Sequence, residues 1–412
     1  MGKEPTRTKQ QAIPLIRPTL VDFAEVEEAF REVWNSGLVT VGKYTAQFEE
    51  AVKETLGVKH AVALSSCTSG LILAIKALGL TGEVIVPSFT FTATVHALVW
   101  NGVKPVFCDC QPDTFNMDPE RVKDLITADT SALMPVYTFG VPPDVDELEE
   151  IAQSANLRIV LDAAQGLGSS YRGRMAGGFG DVEVFSLSPT KVVSSIEGGL
   201  VTTNDAEIAR TVRSMRDYGK SSDGEDIDFI GLSARISEFH SIVGLKNLGR
   251  IKELIHARHR LLSLYRENLN GLAGIRFQTI PGDRESTGNY MVIWVSEEES
   301  GISRDEVYRK LKREGIETKK YFYPAVHLQR AYEAYRNGYP GRLPITEKAA
   351  QEGLALPLYS HMDEETVAKV SGLVRQIVLQ AKAGELPGET GNRVRVLRST
   401  GGTHQASGKE TQ

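Results

Sequence analysis

The feature that most constrains this sequence is an alternation of short apolar segments with helix-length segments between residues 58 and 188. Nearly continuous apolar runs are typical of strands that are buried on both faces of a sheet. Helix-length segments between such runs predict right-handed crossovers, so most neighbouring strands should be parallel. We therefore predict an α/β fold. The predicted strands are residues 60–65, 83–88, 104–110, 132–137, 158–164 and 182–188, and two of the predicted helices are residues 68–80 and 144–156.

The second part of the chain has a different pattern. Residues 235–271 carry a long helical pattern without proline, which predicts a helix that leads out of the first domain. A strand at 290–296 and helices at 303–315 and 363–382 predict a smaller α+β domain. Both chain ends are polar and have little to bury, so we predict that they are flexible. The predicted division is a tail at 1–12, a large domain at 13–250, a small C-terminal domain at 251–383 and a tail at 384–412.

Length and charge exclude several classes of protein. The chain has 412 residues, of which 41% are hydrophobic and 24% charged, which suits a globular protein with two domains and a large core. Its net charge of −6 comes without a long basic block, so we expect neither nucleic acid nor a membrane surface as a partner. No apolar run reaches the ~20 residues that span a bilayer, and the first residues do not resemble a signal peptide. We predict a cytoplasmic protein.

The three cysteines are Cys67, Cys108 and Cys110. They cannot form a disulfide framework, and Cys108 and Cys110 alternate along one predicted strand with too few other ligands for zinc. We interpret all three as reduced packing thiols and predict no metal site.

Polar residues follow the predicted strands, where ligands of open α/β sheets bind. Residues 65–70 (Ser-Ser-Cys-Thr-Ser-Gly) lie between a strand and a helix, so their hydroxyls can cap the helix while unpaired N–H groups bind a phosphate. A plain helix cap is the alternative. Phe91 opens the next helix at the same sheet edge and could stack on a flat cofactor, although an aromatic residue here is more often core.

Asp162 and Gln165 close the strand at 158–164. A carboxylate at the end of a buried strand needs a cationic partner, and a protonated pyridine nitrogen is one candidate. A structural salt bridge or a helix cap is the alternative. Gln165 offers a donor and an acceptor that suit a ring hydroxyl, or it is simply a structural amide.

Lys191 follows the last predicted strand of the first domain. A lysine drawn into a site can lose its proton and attack an aldehyde, whereas most lysines are solvated surface charges. Gly198 and Gly199 follow shortly after, and they allow close backbone approach or a positive φ that a surface loop does not require.

In this order and spacing, the Ser/Thr turn, PSFTFTAT (87–94), LDAAQ (161–165) and FSLSPTK (185–191) before EGG resemble the DegT or StrS family of sugar-nucleotide aminotransferases. The resemblance extends from about Ile13 to Ala383 and also covers NMDPERV (116–122), GLSARISE (231–238) and ALPLYSHM (355–362). It implies the type I fold of pyridoxal-phosphate enzymes. It also implies transfer of an amino group, with L-glutamate as the expected donor, to a nucleotide-linked keto-deoxy sugar, giving an amino sugar.

The resemblance also implies a role for each strand-end residue. Lys191 would hold pyridoxal phosphate as a Schiff base and shuttle the proton. Asp162 would keep the ring nitrogen protonated, Gln165 would contact the ring hydroxyl and Phe91 would stack on the ring. The phosphate would be held by Cys67, Thr68 and Ser186.

The family forms homodimers whose active sites are shared, and this chain departs from the family in the segment that reaches the partner. The family pattern G-Y-N-x-R-M-S-E reads here as GLSARISE, so either Ser233 or Arg235 would serve the neighbour's phosphate. We find no evident intrachain partner for Arg235 in the sequence. A family His two residues after the phosphate-binding Ser is Ser188 here. His327 lies where relatives place residues near the sugar, although a single His is more often structural.

Three other functions are compatible with the same fold. A pyridoxal-phosphate-dependent sugar dehydratase carries a His in place of the lysine, so Lys191 argues against it. A non-catalytic regulatory homologue would have no need of Lys191, Asp162 and Gln165 together. A glycine- or cysteine-dependent enzyme of this fold would need different residues at the strand ends. The sequence does not define the sugar, the nucleotide or the keto position.

Overall fold

The computed structural model describes residues 12–336 and 343–384. The two predicted tails lie almost entirely outside these ranges. The strands are β1 (His60–Leu64), β2 (Glu83–Pro87), β3 (Lys104–Cys108), β4 (Thr130–Leu133), β5 (Arg158–Asp162), β6 (Ser170–Tyr171), β7 (Arg174–Met175), β8 (Val182–Ser186), β9 (Gly199–Thr203), β10 (Ile275–Phe277), β11 (Arg284–Glu285), β12 (Met291–Val295) and β13 (Gly353–Leu356).

Helices alternate with these strands in the first half of the chain and surround them in the second. The helices are α1 (Glu27–Ser36), α2 (Lys43–Leu56), α3 (Cys67–Ala77), α4 (Thr92–Trp100), α5 (Pro119–Leu125), α6 (Val145–Ala155), α7 (Ala206–Met215), α8 (Glu238–Leu248), α9 (Ile251–Leu269), α10 (Glu297–Ser300), α11 (Arg304–Arg313), α12 (Glu333–Arg336), α13 (Pro344–Glu352) and α14 (Glu364–Lys382).

The large sheet has seven strands in the order β1-β9-β8-β5-β4-β2-β3. The strands from β8 to β3 pair in parallel, which confirms the predicted α/β fold with a mostly parallel sheet. Strand β9 runs antiparallel to both β1 and β8 and was not predicted. Its five residues begin with the second glycine of the pair, Gly199, and no helix of the kind by which we recognised parallel strands separates it from β8. Apolar side chains cover both faces of this sheet and bury it.

The predicted continuous helix at 235–271 is wrong, because the structure has two helices there. Arg235 is still extended and pairs with Leu64 across an antiparallel bridge. Ser237 then caps α8, which ends before Gly249, and α9 begins two residues later. Glycine is a weak helix former, and Gly249 is the C-cap residue of α8 with its backbone still in the right-handed region.

The small domain contains a three-stranded antiparallel sheet in the order β10-β12-β13, and α9, α11 and α14 pack against it. The division between large and small domains at residues 250 and 251 coincides with the start of α9 and stays a prediction. Aromatic side chains join the small sheet to the large domain. Phe115 stacks on Trp294 at 3.9 Å, and Phe139 stacks on Phe322 at 5.3 Å between ring centres. These contacts fix one wall of the cavity described below.

The cysteines lie close to their predicted places. Strand β3 ends at Cys108, so Cys110 is not part of it and forms a separate bridge with Met117. All three thiols are free and buried, and burial raises the pKa of each. Across the described ranges, no helix has the length and apolar character to cross a membrane.

Candidate active site

The carboxyl ends of the parallel strands open into a cavity of about 290 Å³ between the two domains. Seven of the residues singled out from the sequence line it together, although they come from distant parts of the chain. They are Cys67, Thr68, Phe91, Asp162, Gln165, Ser186 and Lys191.

The N-terminus of α3 forms one end of the cavity. Ser66 caps this helix, because its hydroxyl accepts a hydrogen bond from the Ser69 N–H at 3.1 Å and its carbonyl accepts one from Gly70. The N–H groups of the first helical residues, Cys67 and Thr68, are then the donors that a helix start leaves unpaired. The hydroxyl of Ser186, at the end of β8, lies at the same cavity. A helix start with hydroxyls around it suits a phosphate.

Gly199 explains how β9 passes so close to this helix start. A Cβ atom on Gly199 would lie 2.4 Å from the backbone carbon and oxygen of Ser66. One on Gly198 would lie 2.5 Å from the Ser195 hydroxyl. Neither glycine has a positive φ. Of the two reasons considered for this glycine pair, close backbone approach is therefore the one that the structure supports.

Asp162 is the last residue of β5 and is only 4% exposed. Its carboxylate accepts hydrogen bonds from the Thr94 hydroxyl at 2.7 Å and from the Ala164 N–H at 3.0 Å. No ion pair within the described ranges involves Asp162, so it is not part of a structural salt bridge there. Burial raises the pKa of Asp162, against these hydrogen bonds and the positive charge of Lys191. A cation bound beside it would stabilise the carboxylate.

Gln165 and Phe91 both have groups that protein contacts leave available. The side-chain oxygen of Gln165 is buried and has no hydrogen-bond partner among the described residues. Such an atom is costly unless a bound molecule satisfies it. Phe91 is 54% exposed, so it does not have the burial of a core residue. Both residues line the cavity.

Lys191 lies in the loop after β8, which returns through the glycine pair to β9. Its backbone N–H donates to the carbonyl of Ser188 at 3.0 Å, which fixes a tight turn. The side chain lines the cavity, and its charge acts on both Asp162 and Tyr290. The structure therefore places the lysine between the strand-end residues and the small domain.

The small domain supplies a wall that sequence reasoning missed: Tyr290, Lys319, Tyr321 and Phe322. The Tyr321 hydroxyl donates to the Tyr290 hydroxyl at 3.4 Å. Although burial alone raises it, the pKa of Tyr290 is lowered overall by the charge of Lys191 and by neighbouring hydroxyls. The only signal in the sequence was the position of Tyr290 at the start of a predicted strand, and no motif connects it with residues 319–322.

Ser233 and Arg235 do not line the cavity of their own chain. The expectation that Arg235 has no intrachain partner is wrong, because its guanidinium pairs with Asp217 at 2.8 Å and lies over the Tyr218 ring. Asp217 is brought there by an antiparallel bridge to Ser233, a contact that sequence separation conceals.

His327 does not line the cavity either, and the expectation that it lies near a sugar stays a prediction. It is 3% exposed, and its Nδ1 shares a hydrogen bond of 2.6 Å with the Ser88 hydroxyl. Its ring packs beside Phe107, and its Nε2 lies 3.6 Å from Glu347. These contacts hold residues 326–328 against the end of β2 and explain its burial.

The cavity fits a phosphorylated pyridine aldehyde. The α3 N-terminus and Ser186 suit its phosphate, the unpaired Gln165 oxygen suits a ring hydroxyl, and the buried Asp162 suits a protonated ring nitrogen. Lys191 supplies the amine that reacts with the aldehyde. In the part of the chain that the structure describes, no cluster of His, Cys, Asp or Glu is arranged to hold a metal ion.

Known proteins resemble the chain over nearly its whole length. The model of the DegT/DnrJ/EryC1/StrS aminotransferase family matches residues 22–375. The dTDP-4-amino-4,6-dideoxy-D-glucose transaminase of Escherichia coli is 32% identical over 367 residues, which cover 88% of this chain and 98% of the relative. GDP-perosamine synthase of Caulobacter vibrioides is 32% identical over 361 residues, or 86% of this chain and 94% of the relative. The crystal structure of DesI, determined with its TDP-sugar product, has a TM-score of 0.85 at 38% identity and covers 91% of this chain and 94% of that one.

Fold and cavity thus define a pyridoxal-phosphate-dependent aminotransferase of fold type I. The chain belongs to the DegT/DnrJ/EryC1/StrS aminotransferase family. The resemblance seen in the sequence is confirmed, and so are the enzyme class and the cofactor that it implied.

Proposed function

We propose that this enzyme transfers an amino group from L-glutamate to the keto carbon of a nucleotide-linked deoxy sugar. The acceptor class follows from the relatives, whose names specify dTDP-, GDP- and UDP-linked amino sugars. The observation that carries the proposal is a single cavity that contains both Lys191 and the buried Asp162. Residues of the small domain form another wall of this cavity. Glutamate is proposed as the donor on the family resemblance alone.

Bound pyridoxal phosphate supplies a carbonyl that takes up the amino group and an aromatic ring that accepts electrons from the reacting carbon. Lys191 Nζ would accept the proton from the substrate carbon and return it on the cofactor side. Asp162 would hold a proton on the ring nitrogen through its carboxylate, which Thr94 and Ala164 keep in place. We propose that Cys67, Thr68 and Ser186 bind the phosphate, that Gln165 binds the ring hydroxyl and that Phe91 covers one ring face.

The competing functions predict other residues at these positions. A dehydratase of this fold has no lysine at position 191, and a regulatory homologue would not need a buried carboxylate held ready by two hydrogen bonds. We retain aminotransfer because both features are present in one cavity.

The test begins with the visible spectrum of the purified protein, which should show bound pyridoxal phosphate. Incubation with L-glutamate should then change this spectrum, and a panel of dTDP-, UDP- and GDP-linked keto sugars should restore it with formation of an amino sugar. Parallel incubations with L-alanine and L-glutamine test the donor. A protein that carries the cofactor but converts none of these sugars would contradict the proposed acceptor class.

We further propose a homodimer whose active sites are shared. The segment 231–238, which does not line its own cavity, adjoins residues 39–41 through backbone hydrogen bonds. Apolar side chains around these two stretches are exposed: Trp34 by 77%, Leu38 by 70% and Ile230 by 79%. Exposed apolar area of this kind is typical of an interaction surface. A cytoplasmic location stays a prediction of the sequence.

Two inactive variants test the shared site: Lys191→Ala and the double change of Ser233→Ala and Arg235→Ala. In a mixed dimer with shared sites, one site carries both defects and the other carries neither, so part of the activity should return. Because Arg235 also pairs with Asp217, the variant Asp217→Ala serves as the control for loss of that ion pair. Mixed dimers identified by mass that stay inactive would show that each chain completes its own site.

A further inference from the structure

The segment 316–320 leads from α11 to the cavity, and a turn follows it at residues 321–322. Lys319 and Ala355 form an antiparallel bridge, in which the Lys319 N–H donates at 3.2 Å and its carbonyl accepts at 2.7 Å. The backbone of Lys319 is therefore fixed by the small sheet. Lys319 and Tyr321 both line the cavity, whereas Lys320 does not.

The two neighbouring lysines have different surroundings. Lys320 pairs with Asp305 at 2.8 Å and lies over the Tyr308 ring, away from the cavity. Lys319 lines the cavity, and its ammonium lies 4.8 Å from the centre of the Tyr321 ring. No ion pair within residues 12–336 and 343–384 involves Lys319. The ammonium of Lys320 is thus neutralised by a carboxylate, whereas the ammonium of Lys319 lies at the cavity without one among the described residues.

The other charged residues of the cavity show why the unpaired ammonium of Lys319 matters for ligand binding. Among its described lining residues, Lys191 and Lys319 are the only cations, and Lys191 is committed to the cofactor. Asp162 is buried, and Glu197 is exposed and has no ion pair with Lys319. Lys319 lies on the cavity wall that Tyr290, Tyr321 and Phe322 also form, and its charge contributes to the lowered pKa of Tyr290. Both proposed substrates are anions: glutamate through its carboxylates and the nucleotide sugar through its diphosphate.

We propose that Lys319 is a substrate-binding residue that takes an anionic oxygen group, a carboxylate of the amino donor or a phosphate of the nucleotide. The inference rests on the proposed function, since it deepens the substrate class of the same site. A fixed backbone with a flexible, unpaired ammonium suits a point charge that meets two different substrates in turn.

The experiment measures equilibrium binding to the purified holoenzyme by calorimetry, with 2-oxoglutarate as one probe and TDP as the other. Lys319→Met keeps the length of the side chain and leaves the backbone bridge intact, so it should fold. It should weaken binding of at least one probe about tenfold, the loss expected for a charge-assisted hydrogen bond. The probe that is affected identifies the source of the anion. Lys319→Arg should restore most of the affinity.

Lys320→Met is the matched control, because it removes the same charge one residue away, from a side chain that does not line the cavity. It should change neither affinity by more than about twofold, as expected for a pair at the surface. Equal affinities of wild type and Lys319→Met for both probes would overturn the inference, and so would an equal loss in Lys320→Met. Sugar transamination that persists in either case leaves the proposed function intact, whereas absent cofactor or absent transamination contradicts that function alone.

Discussion

The large-domain wall of the cavity holds its polar groups more firmly than the small-domain wall. Asp162 receives two hydrogen bonds at the end of a central strand. Cys67 and Thr68 are the first two residues of helix α3, so the helix holds their N–H groups in place. On the opposite wall, Tyr290 and Tyr321 share one long hydrogen bond of 3.4 Å, and Lys319 is exposed. Preorganised groups suit a cofactor that stays bound, and adaptable groups suit substrates that exchange. Changes on the two walls should therefore affect different steps.

The largest effect is expected for Lys191→Ala, on the large-domain wall. Without this amine the proposed covalent link to the cofactor and the proposed proton carrier are both lost, so turnover should become undetectable. Borohydride reduction followed by peptide mass analysis should locate the cofactor on Lys191 in the wild type and on no lysine in the variant. A reduced adduct on a different lysine would disprove the assignment.

Asp162→Asn should have the next largest effect. It keeps the shape and the hydrogen bond from Thr94 but removes the charge that holds a proton on the ring nitrogen. The half-reaction with L-glutamate should slow by about a hundredfold or more, while cofactor remains bound. Stopped-flow absorbance measures this rate. Thr94→Val is the control: it removes the hydroxyl that contacts Asp162, Thr90 and the Phe91 carbonyl but leaves the Asp162 carboxylate in place, and it should cost about tenfold. Wild-type rates in Asp162→Asn would remove the electrostatic role.

Tyr290→Phe tests the small-domain wall and should have a smaller effect. The variant should keep its cofactor and lose about tenfold in kcat/KM at most, the value of one hydrogen bond. Since the pKa of Tyr290 is lowered, wild-type protein should show one tyrosine that ionises before the others when absorbance at 295 nm is followed against pH. Tyr290→Phe should lose this early step. Tyr321→Phe should keep an early step but move it to higher pH, because the Tyr321 hydroxyl donates to Tyr290 and helps to lower its pKa, while burial raises the pKa of Tyr321 itself. If the early step persists in Tyr290→Phe, a different tyrosine is responsible for it.

The smallest effect on catalysis is expected at Glu183, beneath the large-domain wall on β8. Burial raises its pKa to about 7 from 4.5, although Tyr137 and the N–H groups of Gly177 and Phe179 donate to it. A carboxyl with a raised pKa stabilises the fold when protonated, so stability should fall as pH rises from about 4.5 to about 7, by up to about 3 kcal/mol.

Thermal unfolding at a series of pH values measures this slope. Tyr137→Phe removes a donor that lowers the pKa of Glu183, so the decline in stability should continue to higher pH. Glu183→Gln should remove the decline at the cost of overall stability, because its amide faces two N–H donors. If the slope of stability against pH is unchanged in Glu183→Gln, other titratable groups cause it.

The sequence determined the large-domain wall because each of its parts is local. A short strand, a polar residue at its end and a following helix are encoded within about ten residues, and parallel strands bring all such ends to one edge. For this reason the parallel strands, the α3 cap and the convergence of Lys191, Asp162 and Gln165 on one edge were predictable. The groups of the small-domain wall, by contrast, are connected by no local pattern.

Tertiary structure alone decided the contacts between segments far apart in the chain. Strand β9 takes its place between β1 and β8 by backbone pairing, and Arg235 meets Asp217 through the bridge at Ser233. His327 is drawn under Ser88, and Lys319 is turned to the cavity by pairing with Ala355. Such contacts depend on which surfaces are buried together. That burial lowers the free energy only once the segments are packed together, and no local sequence pattern predicts it.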